Sequence, residues 1–205
     1  MNVNSGYKNR LNLVGAIVAT TFLTIGCAGS NFVRPDPGSF SLGTTTQQEI
    51  SKRMGKPYRT GTLDKNGKTL QSATYAYANV GGEAMYSGVT TARSQGFYFL
   101  DSTLVGTEFT SSFKEDGTDF DAAKVPQIVK GKSTKADVVR VFGPAGGDYM
   151  YPLTANPTDR ALVYMYSQTK GSAFNLRFYV KTLVVSYNAS GVVTDVQYNA
   201  QGTKD

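Results

Sequence analysis

The stretch Leu42-Gly43-Thr44-Thr45-Thr46-Gln47-Gln48-Glu49-Ile50-Ser51-Lys52-Arg53-Met54-Gly55-Lys56-Pro57 decides the reading of the fold, because the chain repeats it. It returns 88 positions later as Lys130-Gly131-Lys132-Ser133-Thr134-Lys135-Ala136-Asp137-Val138-Val139-Arg140-Val141-Phe142-Gly143-Pro144. Each copy has a glycine, a hydroxyl residue placed to cap a helix, about two turns of helix, and a closing glycine with proline soon after. Thr46-x-x-Glu49 reads as a capping box. Ile50 and Met54 share one helix face, as do Val138 and Phe142, and both pairs read as core contacts to a sheet. Two copies of one helix imply two similar units in tandem.

Outward from the first copy, Asp64-Lys65-Asn66-Gly67 is a turn, and Ala73 to Ala78 alternates small and aromatic residues as a strand does. Residues 79–95 show no clear period and contain Gly81, Gly82 and Gly88, so they read as a long irregular segment. Phe97–Leu100 and Leu104–Phe113 read as strands, closed by Asp116-Gly117. Beyond the second copy, residues 146–159 are again irregular, with Pro152 and Pro157. Strands follow at 160–168, 176–187 and 192–198. The apolar row shifts by one residue at Thr182, which predicts a bulge. One or two short helices followed by an antiparallel meander, twice over, predicts an α+β fold: two tandem units, each with its helices on a small antiparallel sheet. The expected boundaries are 40–120 and 121–205.

Ahead of the units, Lys8 and Arg10 precede an uncharged run from Leu11 to Gly26, the layout of a secretory signal over residues 1–26. The run is short for a membrane span, which needs roughly 20 apolar residues. Leu23-Thr24-Ile25-Gly26-Cys27 resembles a bacterial lipobox, with Thr24 where leucine is preferred. Ala28-x-Ser30 would also serve as an ordinary cleavage site, but a lone cysteine at the edge of the apolar run favours lipidation. The resemblance implies an acylated Cys27 and, with Ala28 following it, sorting to an outer membrane. Residues 27–39, with Pro35, Pro37 and Gly38, then read as a lipidated tether reaching on the order of 40 Å when extended.

Composition narrows the chemistry. The chain has no histidine, no tryptophan and one cysteine, which removes the commonest general base and any cysteine-cluster metal site. No cofactor and no metal are expected. Without Lys8 and Arg10 the formal charge falls from +6 to +4, with no basic run, so no nucleic-acid partner is expected. Gly131-Lys132-Ser133 lacks the first glycine of a phosphate loop and reads as a helix start. Ser111 and Lys114 have a serine–lysine spacing but sit in a strand pattern. Glu115, Asp116, Asp119 and Asp121 lack calcium-loop spacing and read as a hairpin tip. Tyr86, Tyr149, Met150 and Tyr151 are the candidate protein-interaction residues, with capping of a sheet core as the alternative. No catalytic constellation stands out, and a non-enzyme is expected.

Val125-Pro126-Gln127-Ile128-Val129-Lys130-Gly131-Lys132-Ser133, the helix to Gly143-Pro144, and Thr182 to Asp195 together resemble the outer-membrane lipoprotein family called BamE, SmpA or OmlA. The unit doubled resembles the fold of β-lactamase inhibitor protein. These resemblances imply a lipid-anchored, periplasm-facing adaptor that binds an envelope protein, with roles in outer-membrane assembly or integrity. The alternatives are an inhibitor of an envelope enzyme and a ligand-binding or enzymatic envelope protein. Cys27→Ala is expected to move the protein from the membrane fraction to the soluble fraction on cell fractionation; retention in the membrane contradicts the anchor.

Overall fold

Each copy of the repeated phrase folds through the same set of bonds. In the computed structural model, which describes residues 29–172 and 174–204, the copies form α1 (Gln47–Met54) and α2 (Lys135–Phe142). The Thr46 hydroxyl accepts from Glu49 N, and Thr46 N donates to the Glu49 carboxylate; Thr134 and Asp137 repeat the pattern. Both reciprocal caps satisfy amides that a helix start would otherwise leave open. Gly55 and Gly143 end the helices at φ of 77° and 79°, a region that favours glycine. Tyr75 donates its hydroxyl to Gly55 O at 2.9 Å, and Tyr164 to Gly143 O at 2.8 Å. Ahead of the helices, Gly43 N donates to Leu104 O and Gly131 N to Val193 O, both at 2.8 Å.

The strands are β1 (Arg59–Lys65), β2 (Lys68–Asn79), β3 (Val89–Leu100), β4 (Thr103–Ser111), β5 (Gly147–Met150), β6 (Arg160–Lys170), β7 (Arg177–Tyr187) and β8 (Val193–Gly202). A 3-10 turn, Ala122–Gln127, capped by Asp121, lies between β4 and α2. The expected α+β arrangement with two small sheets is not what forms. The protein is mostly β, and all eight strands join in chain order into one antiparallel sheet. The joint is β4 to β5, where Gly106 pairs Tyr149 and Thr107 pairs Asp148. Beyond the end of β4, Val89 and Thr90 of β3 pair Lys170 and Thr169 of β6, closing a four-strand ring from β3 to β6.

The physical reason lies in two glycines. A Cβ on Gly147 would stand 2.0 Å from Thr107 O, and one on Gly146 would stand 2.8 Å from Phe109 O. Without side chains there, β5 can lie against β4 and cover two strand edges whose backbone groups would otherwise be open. The stretch expected to be irregular at 146–159 therefore opens as a strand. The other expected irregular stretch shrinks as well: β2 runs to Asn79 and β3 starts at Val89, leaving residues 80–88 as the connection. No bulge occurs at Thr182, since β6 and β7 stay in register from Arg177 to Tyr187. The apolar row changes faces instead. Leu183 and Val185 are buried on the helix side, whereas Phe178 and Val180 are exposed on the other.

The register places the core on one face. Ile50 of α1 packs with Ala73, Tyr75, Phe97, Phe99 and Leu104; Val138 of α2 packs with Leu162, Tyr164, Leu183, Val185 and Val193. Residues 31–40 also lie on this face. Phe32 meets the Tyr75 ring edge-on, Phe40 meets Phe97, and the Arg34 guanidinium sits 4.3 Å above the Phe109 ring. Ile50 is 1% exposed, so Ile50→Ala is expected to cost about 3 kcal/mol in denaturant unfolding. Val139→Ala, on the exposed side of α2, is expected to cost less than about 0.5 kcal/mol; equal losses for the two would contradict this packing.

Candidate partner-binding face

The face opposite the helices is built by the alternate residues of the same strands. One cross-strand row runs Arg59, Thr74, Gly96, Glu108. The next runs Gly61, Ser72, Tyr98, Gly106, Tyr149, Ala161. Neither helix packs here. Tyr98 donates its hydroxyl to Glu108 Oε1 at 2.7 Å, and Tyr149 donates to Glu108 Oε2. The two rings meet edge-on with centroids 5.9 Å apart. The glycines make the hollows that this trio fills. A Cβ on Gly96 would stand 2.9 Å from Glu108 Cγ, and one on Gly106 would stand 2.2 Å from Leu153 and 2.8 Å from Tyr149.

Burial, then the Glu108 charge, then the hydrogen bond raise the Tyr98 pKa far above the ordinary phenol value, and burial with the same carboxylate raises Tyr149. Both phenols are thus protonated donors at neutral pH, and both oxygens of Glu108 are occupied. The trio is a fixed, partly buried cluster of rings around a satisfied carboxylate.

Across the seam the same face exposes two apolar side chains whose paired neighbours carry no charge. The Thr110 and Ser167 hydroxyls bridge β4 and β6 at 3.2 Å. Phe178 is 51% exposed and Val180 39% exposed. Their cross-strand neighbours are Thr169 and Ser167 on β6 and, opposite Val180, Gln201 on β8. Thr182 next along is flanked by Met165 and Asn199. Exposed apolar residues in a charge-poor patch have the composition of an interface core.

The residues singled out from sequence fall in different places. Cys27 lies outside the described residues. Tyr149 belongs to the trio. Met150 points to the helix side, with its sulfur near Gly43. The Tyr151 hydroxyl reaches Asn66 O at 3.4 Å, and the Asn66 amide donates to Pro152 O and Thr154 O at 2.9 Å each, tying the segment to the β1–β2 turn. Tyr86 donates to Asp119 and lies edge-on to Tyr166.

The acidic group divides among separate partners. Asp119 meets Lys181 Nζ at 2.6 Å and Lys204 Nζ at 2.9 Å. Burial works to raise the Asp119 pKa, and the bonds from Lys181, Tyr86 and Lys204 outweigh it, leaving the carboxyl below its ordinary value. Asp116 pairs Arg93 at 3.4 Å and accepts from Ser111 Oγ at 2.6 Å, while Lys114 pairs Glu83. Ser111 and Lys114 therefore have different partners. Ser133 Oγ accepts from Val129 N just ahead of α2. Among the described residues, no group of three acidic, histidine or cysteine side chains is placed to hold a metal, and no helix is long and apolar enough to cross a membrane.

Sequence reasoning missed Tyr98, Glu108, Phe178 and Val180. A signal existed for Glu108: a carboxylate inside a strand pattern, two residues from Gly106 on the same face. The shifted apolar row at Thr182 was the signal for Phe178 and Val180. The fold and site together define a continuous antiparallel-sheet protein with both helices on one face and a four-strand ring from β3 to β6. Comparison with protein-family models, with curated proteins and with solved structures gives no match.

Raised phenol pKa values have a fixed sign. The folded state holds those protons more tightly, so the stabilisation is complete below the unfolded value of about 10 and is lost as pH rises through the folded values. Glu108→Gln removes the negative charge and is expected to bring tyrosine ionisation to lower pH, read by ultraviolet difference absorbance of the folded protein. An unchanged titration would show that the carboxylate does not govern these phenols.

Proposed function

We propose that this chain is a lipid-anchored cell-envelope protein, on the periplasmic side of an outer membrane, that acts without catalysis as an adaptor. It binds a protein partner through the helix-free face of its sheet. The signal-like start and the lipobox-like Leu23–Cys27 support the location. The resemblance of residues 121–198 to an outer-membrane lipoprotein family supports both location and role.

The observation that carries the binding reading is the exposed pair Phe178 and Val180 beside uncharged cross-strand neighbours, on the same sheet face as the Tyr98–Glu108–Tyr149 trio. Aromatic anchors beside a desolvatable patch are what protein interfaces concentrate. A photo-cross-linking residue at 178 or 180 in native envelopes is expected to give one adduct of defined mass. The adduct should be lost when Val180→Asp accompanies the probe at 178, and absent when the probe is at Val139 on α2. Adducts of the same pattern from all three sites, or none from 178 and 180, would remove this reading.

A further inference from the structure

The two halves of the chain match strand for strand, and the match extends to their edges. Gly131 N–Val193 O repeats Gly43 N–Leu104 O, and Tyr164–Gly143 repeats Tyr75–Gly55. The register shift at Tyr98/Phe99 in β3–β4 returns at Ser186/Tyr187 in β7–β8. β4 and β8 are therefore counterparts, with Gly106, Thr107 and Phe109 in the places of Asp195, Val196 and Tyr198. β1 and β5 correspond in the same way: Arg59 opens β1 opposite Thr74, as Gly147 opens β5 opposite Val163. The outer edge of β4 takes β5. Among the described residues, the outer edge of β8 takes nothing beyond Val193. Phe109, at the joint, is 1% exposed, whereas its counterpart Tyr198 is 41% exposed. From Thr194 to Gly202 β8 holds no lysine and no proline, the residues that commonly defend an open edge.

We propose that the free edge of β8 accepts an extended, antiparallel segment of a partner protein, led by two small residues as β5 is led by Gly146 and Gly147. This rests on the adaptor reading for the kind of occupant, and not on Phe178 or Val180. The joint inside the chain shows what such a segment needs. A Cβ on Gly147 would stand 2.0 Å from Thr107 O, and on β8 Val196 holds the place of Thr107. A second copy cannot supply the strand from its own β1, because Tyr58 and Arg59 stand in the places of Gly146 and Gly147. An aromatic ring in the place of Tyr149 is excluded as well. The Tyr149 ring uses the space above Gly106, and β8 has Asp195 there. A lysine or arginine in that place would instead meet the Asp195 carboxylate. Backbone bonds then give the affinity, and the two small residues and one charge give the selection.

A strand tethered to the full chain tests this directly. After Asp205, a flexible glycine–serine linker of roughly ten residues leads to Ala-Gly-Gly-Asp-Lys-Met, at an effective concentration on the order of millimolar. The control extension ends in Ala-Tyr-Arg-Asp-Lys-Met. Amide hydrogen exchange in β8 is then followed residue by residue. The Gly-Gly extension is expected to slow exchange at residues 195–198 about tenfold relative to the unextended chain, and the Tyr-Arg extension to leave it unchanged. Asp195→Lys is expected to remove the slowing. No slowing, equal slowing by the two extensions, or slowing that survives Asp195→Lys overturns this edge as described. Slowing in the unextended chain that grows with protein concentration assigns the edge to a second copy and overturns the foreign occupant. Cross-links from 178 and 180 are read separately, so loss of this edge leaves the adaptor reading standing, and loss of those adducts leaves the edge to its own result.

Discussion

The pairing of β4 with β5 is the contact on which the rest of the structure depends. Without it each half would be a four-stranded sheet with one helix and an exposed inner edge. With it, the halves share a backbone ladder, and the strands pair in one order from β1 to β8. Gly146 and Gly147 permit the approach by lacking side chains where carbonyls of Thr107 and Phe109 must stand. The Tyr149–Glu108 bond then ties a β5 side chain to β4 across the same joint. Two glycines at the start of β5 and a phenol from the same strand reaching β4 bring the sheet halves together.

Polar groups reinforce the joint elsewhere. Lys181 on β7 is 3% exposed and meets Asp119, which follows β4, and it lies 4.3 Å over the Phe120 ring. Lys204 and Tyr86 complete the carboxylate's shell. Such a pair adds little net stability against an apolar alternative, because desolvating two charges is costly. What it adds is a fixed register between the linker and the last hairpin, since an unmatched charge there would be strongly unfavourable. Arg93 does the same for the Asp116 turn, stacked 4.8 Å over Phe113.

Local chemistry made part of this legible from sequence. Capping residues, closing glycines and the Asn66-Gly67 turn act over four residues, so their pattern is visible in a short window. The joint is not, because it pairs residues about forty apart, and nothing near Gly147 in sequence says which strand its backbone will meet. The start of β3 was hidden for a related reason: Val89-Thr90-Thr91-Ala92-Arg93 alternates weakly and owes its pairing to β2 and β6. At Thr182 the pattern was seen and its cause misread, since the same shift follows from a bulge or from a change of buried face. Of the interaction candidates, tyrosine content pointed to Tyr149 and missed its partners, Glu108 and Tyr98, which only the cross-strand register brings together.

Native-state hydrogen exchange, residue by residue, tests the central claim of one continuous sheet most directly. The account predicts that amides at 106–107 and 147–149 open with the same free energy as those of the β2–β3 and β6–β7 ladders, as parts of one cooperative unit. Fast exchange at those joint amides, with the two halves opening at separate free energies, would contradict it.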